Sequence, residues 1–525
     1  MKKLYSILIS LLLVASLATG CTREMTEPEK IEIPTSAVLS EDIDVCYSLF
    51  PIAFADSNGD GLGDINGIRE NLGYLKNELG IDCIWLNPIH PSPSYHKYDV
   101  VDYLSVDPDF GTMEDYENLI SEMHELDMYM IMDFVVNHTS SKHPWFQAAK
   151  QKDEKYRDYY RWLTTDELKE HHMKSDWYIG GNTYYYAGFW SEMPELNLEN
   201  EDVRNELKSI AEFWLNKGVD GFRIDAAMHL FDKGEYPEGY DTLDANIDFL
   251  RELSEHIKSI NENAFLISEV AMNYKSASVY YEGTDALFNF DIGEYLLESA
   301  FVGSVDMADK IQYYLEQTAG YDNRVMATFL SNHDQNRSIE SLAESRSRAK
   351  VAANLILTLP GLPFIYYGEE IGMTGKKPDE NIREPFVWGV ESEYTTAWNL
   401  SSQNVNQNTP SLALQMNDET SLFNTYKTMI SIRKENPVLK TGDISHVATG
   451  VKAIIAYRRY DTDANLLIVH NTLDQEYILN FKPASEYKIV YQQNPADKVA
   501  DGKLYLGGRS VIIINLMDNE MESLE

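Results

Sequence analysis

Short runs of β-branched and aromatic residues alternate with amphipathic segments along most of the chain. Eight such runs lie between residues 45 and 370: VCYSLFPIAF, CIWLNPI, MYMIMDFVV, GFRIDAA, AFLISEV, ALFNFDIG, VMATFLSN and PFIYYGEE. The runs have the composition of strands, and the segments between them carry apolar residues at helical spacing. Eight successive strand–helix units fit a closed (β/α)8 TIM barrel better than an open doubly wound sheet.

The segment VRNELKSIAEFWLNKG illustrates the helical pattern. Six of its apolar residues fall on one helical face: Val203, Leu207, Ile210, Ala211, Trp214 and Leu215. Gly218 follows them, and glycine commonly ends helices because it adopts the left-handed conformation readily. We therefore predict a helix that ends near Gly218 and buries this face.

Two long segments interrupt the alternation. Residues 139–198 lie between the third and fourth strands and are rich in Trp, Tyr and charge, which predicts a small inserted subdomain. Residues 373–418 are irregular and precede the last helix of the barrel, SLFNTYKTMISIRKENP. We therefore assign residues 44–435 to an α/β barrel that carries the insertion after its third strand.

The pattern changes near residue 436. Five strand-like runs follow, separated by turns without a helical segment: VKAIIAYRRY, ANLLIVHNT, EYILNF, YKIVYQ and SVIIINL. This spacing is typical of antiparallel strands. Residues 436–525 are therefore predicted to form a separate antiparallel β-domain.

The N-terminus has the pattern of a bacterial lipoprotein signal. A short basic start, MKK, precedes the apolar run LYSILISLLLVASLA, which is too short for a typical membrane span. Small residues in LATGC then precede Cys21, which predicts removal of residues 1–20 and lipidation of the Cys21 thiol. An ordinary secretory signal is the alternative. Because residues 21–43 have the composition of a flexible spacer, we expect a secreted protein held at the cell envelope by its lipid.

The charge balance excludes some partners. Eighty-four acidic and 44 basic residues give a formal net charge of −40, and no basic patch offsets it. Nucleic acid and anionic membrane surfaces are therefore not expected ligands. Besides Cys21, the chain has two cysteines, Cys46 and Cys83. Both lie in apolar strand-like runs, which indicates buried free thiols and leaves a disulfide open. No cysteine spacing indicates a zinc or redox site.

Chemistry-bearing side chains stand at the ends of four predicted strands. They are Asp133, Asn137 and His138 at the third, Arg223 and Asp225 at the fourth, Glu269 at the fifth, and His333 and Asp334 at the seventh. Catalytic residues of such barrels sit at the carboxyl ends of the strands. A lone aspartate there is more often a cap or an ion-pair partner, but jointly these residues indicate an active site.

Paired carboxylates in this position suit glycoside hydrolysis. The sequence has no phosphate loop, no dinucleotide glycine motif and no serine in a nucleophile elbow. In glycoside hydrolysis an ionised carboxylate attacks the anomeric carbon, and a protonated one donates to the leaving oxygen. Asp225 and Glu269 come from neighbouring strands about 4.8 Å apart, compatible with the roughly 5–5.5 Å carboxyl separation of a retaining enzyme. Arg223 favours the ionised form of Asp225.

Four segments resemble, in order, the signature regions of the α-amylase family, glycoside hydrolase family thirteen: DFVVNH, GFRIDAAMH, ISEV and SNHDQNR. Further matches are HKYDVVDY, MPELN and GLPFIYYGEEIG, and the similarity runs from about Asp44 to the end of the chain. The resemblance implies Asp225 as nucleophile, Glu269 as acid/base and Asp334 as the group that grips the sugar hydroxyls. It also implies substrate contacts from Tyr98, His138, Arg223 and His333.

The segment MPELN resembles the MPDLN variant of a subfamily between oligo-1,6-glucosidases and neopullulanases, which includes bacterial lipoprotein α-amylases. The small residue after the nucleophile, Ala226, is typical of members that cut α-1,4 links. We therefore expect a monomeric, endo-acting α-amylase that takes starch and maltodextrins. Met228 in place of a common lysine, and Asp99 as in exo-acting glucosidases, leave an exo-acting α-glucosidase or a 4-α-glucanotransferase open. A non-catalytic surface starch-binding protein is a distant alternative, because the carboxylate trio is intact.

The segment DSNGDGLGD predicts a calcium loop after the first strand. Its candidate ligands are the side chains of Asp56, Asn58, Asp60 and Asp64 and the carbonyl of Leu62. This all-oxygen set suits Ca²⁺ better than zinc or copper. The loop follows the first positions of an EF-hand, but Gly67 stands where the twelfth-position glutamate belongs, and the preceding run is strand-like. The pattern therefore favours a structural clip over a sensor, and relatives similar to oligo-1,6-glucosidases bind a metal in such a loop. An acidic turn without metal is the alternative.

The resemblance also implies a second calcium position. In many amylases a calcium ion is held between barrel and insertion, and the matching residues are Asn137, Glu195 and the backbone carbonyl of His229. Glutamate stands at position 195 where the family usually has aspartate. The alternative is that Asn137 only hydrogen-bonds the backbone of the insertion.

Overall fold

Eight parallel strands close into a barrel, which confirms the fold class predicted from the sequence. They are Cys46–Leu49, Cys83–Leu86, Tyr129–Phe134, Gly221–Ile224, Phe265–Ser268, Ala286–Phe288, Val325–Phe329 and Leu362–Tyr366. Each barrel strand pairs with the barrel strands before and after it in the chain, and the first pairs with the eighth. The computed structural model describes residues 38–170, 176–303, 306–321, 324–389, 392–399, 406–483, 486–517 and 521–524. Cys21 and the predicted signal peptide lie outside these ranges.

Helices occupy most of the connections between the barrel strands. Those of six or more residues are Ile65–Glu70, Met113–Glu125, Pro144–Lys150, Thr165–Glu170, Glu201–Asn216, Thr242–Ile260, Phe290–Val302, Met307–Thr318, Arg346–Thr358 and Leu422–Glu435, with a π-helix at Tyr74–Leu79. Shorter helical turns are Val38–Asp42, Pro51–Phe54, Arg157–Tyr159, Tyr274–Ala277, Ser278–Glu282, Ser338–Ser341, Asp379–Ile382, Leu412–Met416 and Val438–Thr441.

The helix Glu201–Asn216 has the face that the sequence predicts. Its N-terminus is capped by Asn200, whose side chain accepts a hydrogen bond from the backbone N–H of Asp202. All six predicted apolar residues are buried: Val203, Leu207, Ile210, Ala211, Trp214 and Leu215. Gly218 follows with a φ of +97°, the left-handed conformation that glycine adopts at little cost.

Large apolar side chains fill the inside of the barrel. The buried cluster includes Trp85, Ile131, Phe265, Ile267, Phe288, Phe329, Leu362 and Phe364. Leu39 and Ile43 belong to the same cluster and are fully buried. The folded part of the chain therefore begins before Asp44, and the spacer predicted for residues 21–43 is shorter than expected because two of its apolar side chains have a core to join.

Cys46 and Cys83 form a disulfide, whereas the sequence favoured buried free thiols. The two residues are direct neighbours in the parallel pairing of the first and second barrel strands. Both are fully buried inside the barrel. The prediction of free thiols was wrong. The two cysteines are 37 residues apart in the sequence, and this separation does not show that the pairing of their strands makes them direct neighbours.

The insertion after the third barrel strand contains a small antiparallel sheet. Its strands, in spatial order, are Trp162–Leu163, Thr183–Tyr186 and Trp177–Gly180. The rings of Trp162 and Phe146 are stacked, with their centroids 5.7 Å apart. The guanidinium carbon of Arg157 lies 3.7 Å from the centroid of the Trp162 ring. The many aromatic residues of this segment thus form its own small core.

Two antiparallel sheets form the C-terminal part of the chain. One contains Asp443–His446, Ile454–Tyr460, Asn465–Asn471, Ser510–Leu516 and Tyr487–Gln492, and the other Lys498–Ala500, Lys503–Leu506, Tyr477–Pro483 and Met521–Leu524, each in spatial order. All five predicted runs are strands, and the sequence missed four short ones. Within the described ranges, no helix is long and apolar enough to cross a membrane.

Candidate active site

The barrel brings the predicted catalytic side chains to one rim. Asp133 and Arg223 lie near the carboxyl ends of the third and fourth strands, and Asp225 and Glu269 directly follow the fourth and fifth. Asp334 lies in the loop after the seventh strand. Because all eight strands are parallel, their carboxyl ends meet at the same face of the barrel.

Arg223 contacts three carboxylates at once. Its Nη1 donates to Asp133 Oδ1 at 2.8 Å and to Asp225 Oδ1 at 2.6 Å. Its Nη2 lies 2.7 Å from Glu269 Oε2, and the Trp85 ring centroid lies 5.0 Å from its guanidinium carbon. Asp225 and Glu269 are thereby held side by side on one buried guanidinium.

Tyr98 and His333 form a stacked pair beside this group. Their rings are parallel to within 7° with centroids 5.5 Å apart. The Tyr98 hydroxyl donates to Asp133 Oδ2 at 2.8 Å and lies 2.7 Å from His333 Nε2. The same His333 nitrogen lies 3.0 Å from Asp334 Oδ2. The stacked pair therefore links the buried carboxylate Asp133 to the more exposed Asp334.

Arg383 fixes the Asp334 loop and was not predicted from the sequence. Its Nη2 donates to Asp334 Oδ1 at 2.8 Å, its Nε to the carbonyl of His333 at 2.9 Å, and its Nη1 to the Tyr95 hydroxyl at 3.0 Å. Arg383 lies in the segment 373–418, which has no periodicity from which a contact could be predicted. Only the folded chain shows that this segment returns to the rim.

The pKa values of the titratable groups in the site are shifted in opposite directions. Burial raises the pKa of the Asp225 carboxyl, an effect that Arg223 opposes and Glu269 reinforces. Burial also acts on Asp334, but His333 and Arg383 overcome it and hold the pKa of that carboxyl well below its usual range. Burial lowers the pKa of His138 to about 4, so its ring is neutral at pH 7.

A cavity of about 350 Å³ opens above these groups. The predicted residues that line it are Tyr98, His138, Asp225, Glu269 and Asp334. Arg223 and His333 are buried behind this lining and contact it through the hydrogen bonds described above. The predicted catalytic trio and Tyr98 are thus brought together around one space.

Asp99, a predicted substrate contact, is not among the residues that line the cavity. Its Oδ1 accepts a hydrogen bond from Ser92 Oγ at 2.6 Å and another from Ser94 Oγ. These bonds are local to the segment between the second barrel strand and its helix. Asp99 therefore braces the loop that carries Tyr98, because its buried carboxylate is bonded to two serines of that loop.

Further lining residues were not predicted to be catalytic or to bind substrate, although His229 was predicted as a possible calcium ligand. They are His96, Phe189, Met193, Ala226, Met228, His229, Ala271, Asp379 and Arg383. Phe189 belongs to the insertion and is 49% exposed, with His138 and His229 at ring-centroid distances of 5.6 and 5.3 Å. A phenylalanine in an irregular loop cannot be recognised as a site residue from the sequence pattern. The nearby MPELN segment was the feature of this region that indicated a functional role.

The predicted calcium loop is closed by its own carboxylates. Asp56 Oδ1 accepts from the backbone N–H groups of Asn58 and Gly59, and Asp56 Oδ2 accepts from that of Gly61 at 2.7 Å. Asp60 Oδ1 accepts from Leu62 N–H at 2.8 Å.

Asp64, the last predicted ligand, has a second role as a helix cap. Its Oδ1 accepts from the N–H of Gly67 at 2.7 Å, and its Oδ2 from that of Ser57 at 2.9 Å. A helical turn, Pro51–Phe54, precedes the loop where the sequence predicted strand, because Pro51 favours the first position of a helix.

The second predicted calcium position contains two buried oxygens without a hydrogen-bond partner among the described atoms. These are Asn137 Oδ1 and Glu195 Oε2; the other Glu195 oxygen accepts from Gly188 N–H at 2.9 Å. His229 Nδ1 lies 2.6 Å from Asp232 Oδ2. Throughout the described ranges, no three His, Cys, Asp or Glu side chains group as a metal cage. Both calcium positions stay predictions.

Comparison with known proteins agrees with this geometry. The model of the family "Alpha amylase, catalytic domain" matches residues 48–442. Alpha-amylase 3 of Dictyoglomus thermophilum is 41% identical over 90% of this chain and 93% of its own, and the oligo-1,6-glucosidase of Bacillus cereus is 31% identical over 85% and 93%. The crystal structure of the alpha-amylase from H. orenii superposes with a TM-score of 0.82 at 36% identity, over 91% of this chain and 100% of that one. The chain therefore belongs to the α-amylase family of glycoside hydrolases.

Proposed function

We propose that the protein is an endo-acting α-amylase that hydrolyses α-1,4-glucosidic bonds of starch and maltodextrins with retention of configuration. One observation carries the proposal. Asp225 and Glu269 are held side by side by one buried Arg223 guanidinium at the floor of an open cavity. Each carboxylate lies within 2.7 Å of a nitrogen of the same guanidinium, which is compatible with the short carboxyl separation of a retaining glycosidase.

The residues act in two steps. Asp225 attacks the anomeric carbon while Glu269 gives its proton to the leaving oxygen, so the glycosidic bond breaks and a glycosyl ester of Asp225 forms. Glu269 then takes a proton from water, whose oxygen replaces Asp225 at the anomeric carbon. Asp334, held ionised by His333 and Arg383, accepts hydrogen bonds from sugar hydroxyls, and the Tyr98 ring packs against the sugar.

Endo action is supported by apolar side chains at the cavity and beside it. Phe189 and Met228 line the cavity, and Trp190, the residue after Phe189, is 48% exposed. Exposed aromatic rings provide apolar faces for successive sugars of a long chain. Asp99, the residue that suggested a pocket closed at one end, is not among the residues that line the cavity. We also propose that the chain belongs to the subfamily between oligo-1,6-glucosidases and neopullulanases, because its MPELN segment resembles the MPDLN variant of that subfamily.

The products of maltoheptaose cleavage test this function. We expect maltodextrins of intermediate length to appear first, because an endo-acting enzyme cleaves inside the chain. Stepwise release of glucose alone would instead identify an exo-acting glucosidase, and products longer than maltoheptaose a glucanotransferase. Absence of any cleavage by wild-type protein in the presence of calcium would leave only the starch-binding alternative.

We propose that Ca²⁺ binds the loop of residues 56–64 as a structural clip. The side chains of Asp56, Asn58, Asp60 and Asp64 and the carbonyl of Leu62 supply only hard oxygens, which fit Ca²⁺. Backbone amides occupy some of the acceptor positions of Asp56, Asp60 and Asp64, and a carboxylate has about four such positions, so positions remain for a cation. A bound calcium would hold the two halves of the loop together. A second ion fits less completely at Asn137, Glu195 and His229. It would bind Asn137 Oδ1 and Glu195 Oε2, which have no hydrogen-bond partner within the described part of the chain.

Removal of calcium is expected to lower the thermal stability of the protein. A ligand that binds only the folded state contributes about 2–3 kcal/mol at a hundredfold excess over its Kd, which corresponds to a Tm shift of roughly 2–5 °C. Calorimetry with and without a chelator measures this shift. Asp60→Ala should remove most of it, whereas Asp463→Ala, at another exposed turn, should keep it. A full shift in Asp60→Ala would mean that the loop is only an acidic turn.

We propose that the mature protein is lipid-anchored at Cys21 on the outside of a bacterial cell. The LATGC segment and the buried disulfide support this, since disulfides persist in oxidising compartments. Expression of the full chain in a bacterium, followed by detergent phase separation, tests it. The wild type is expected in the detergent phase and Cys21→Ser in the aqueous phase. Equal partition of the two proteins would contradict lipidation of Cys21.

A further inference from the structure

Lys97 has a backbone conformation that lysine rarely adopts. Its φ is +63°, in the left-handed region, which is unfavourable for a side chain with a Cβ. Its two neighbours, His96 and Tyr98, both line the active-site cavity. Strained backbone at such a place persists only where the surrounding structure holds it. Contacts of the surrounding structure must therefore hold residue 97 in this conformation.

The side chain of Lys97 is anchored inside the protein. The residue is 4% exposed, and its Nζ lies 2.7 Å from Asp107 Oδ2 and 3.4 Å from Asp109 Oδ2. The same nitrogen lies 5.3 Å from the centroid of the Phe110 ring. Lysine is almost never buried to this degree without a partner, so the ion pair with Asp107 is what permits its position.

Asp107 is itself fixed to the loop on the other side. Its Oδ2 accepts from Ser92 N–H at 3.2 Å, and its Oδ1 from Asp109 N–H at 3.0 Å. Its own N–H donates to the carbonyl of Ile89 at 2.7 Å. The ion pair therefore ties the start of the loop to its end, and Lys97 lies between them.

The left-handed turn at residue 97 sets the directions of both neighbours. Tyr98 N–H donates to His96 Nδ1 at 3.2 Å, which closes the turn. The Tyr98 ring then reaches Asp133 and His333 through its hydroxyl at 2.8 and 2.7 Å. If residue 97 relaxed to an ordinary extended conformation, His96 and Tyr98 could not both face the cavity with this geometry.

We propose that the Lys97–Asp107 ion pair is a positioning device of the active site. The pair holds residue 97 in the left-handed conformation and thereby fixes His96 and Tyr98 where the sugar ring binds. Lys97 and Asp107 act through these two neighbours and do not contact the sugar. The inference rests on cleavage of an α-glucan at this cavity, but not on endo action or on the identity of the products.

Two double variants that differ by a single methyl group test the proposal. Lys97→Gly/Asp107→Asn and Lys97→Ala/Asp107→Asn both lack the ion pair, but only glycine adopts the left-handed conformation without strain. We expect the glycine variant to retain most of the wild-type kcat/KM, and the alanine variant to fall roughly tenfold below it. The measurement is kcat and KM on any α-glucan that the wild type cleaves, well below the melting temperatures of all three proteins.

The outcomes separate positioning from simple stabilisation. A lower kcat/KM of the alanine variant at 25 °C, with both variants fully folded by circular dichroism, supports the proposal. Equal kcat/KM in the two double variants, or a difference in melting temperature alone, overturns it. If neither double variant folds, the ion pair is a fold stabiliser and the proposal is equally overturned. Lack of activity in the wild type would instead contradict the proposed function, so the two failures are distinguishable.

Discussion

Asp225→Asn is expected to lower kcat on soluble starch by at least roughly 10⁴-fold, a loss typical of removing a catalytic nucleophile. The amide cannot attack the anomeric carbon, so no glycosyl ester forms. The shape of the side chain is kept, and Arg223 retains its contacts with Asp133 and Glu269. The variant should therefore fold, and its release of reducing sugar should fall to the background level.

The matched control for this variant is Asp248→Asn. Asp248 is an exposed aspartate on the helix Thr242–Ile260 and pairs with Arg251 on the same helix. It undergoes the same chemical change outside the site, so we expect wild-type activity. If Asp225→Asn kept more than a few per cent of the wild-type rate while the control was unchanged, Asp225 would not be the nucleophile.

The pH profile gives an independent measure of Asp225. The nucleophile acts in its ionised form, and burial raises the pKa of this carboxyl. Because protonation removes the nucleophile, kcat/KM should fall as the pH decreases through that raised pKa. The fall should begin at a higher pH than the ordinary aspartate range near 4.

The rim of the barrel could be predicted because its chemistry is local to the strands. Asp225 and Glu269 directly follow apolar runs, and the carboxyl ends of parallel strands always meet at one face. Once eight runs were recognised, no long-range information was needed to bring these residues together. The same holds for Asp334, which follows the seventh strand by a few residues.

The remaining features depend on long-range contacts that leave no periodic signal. Arg383 and Phe189 lie in irregular segments, and only the folded chain brings them to the cavity. The Cys46–Cys83 disulfide depends on strand register. The left-handed conformation of Lys97 is set by its ion pair with Asp107. Such positions require tertiary structure, because nothing in the neighbouring sequence determines them.

Glu269→Gln is expected to lower kcat on starch by roughly 10³-fold, within the range of general acid–base catalysis. Glutamine cannot give the leaving oxygen a proton, although it can keep contact with the backbone N–H of Ala226, which donates to Glu269 Oε2 at 3.1 Å. Asp225 and Asp334 are unchanged, so the sugar should still bind and KM should change little. The defect is therefore expected in the bond-breaking step.

The decisive measurement compares two classes of substrate. A sugar with a leaving group that departs without a proton, such as fluoride, does not need the acid in the first step. Formation of the glycosyl ester from a maltosyl fluoride should therefore be far less impaired than cleavage of starch. Glu262→Gln, an exposed glutamate just before the same strand, should cleave both at wild-type rates. Equal losses on both substrates in Glu269→Gln would show that Glu269 only maintains the geometry around Arg223, and the proton donor would have to be sought among the other groups that line the cavity.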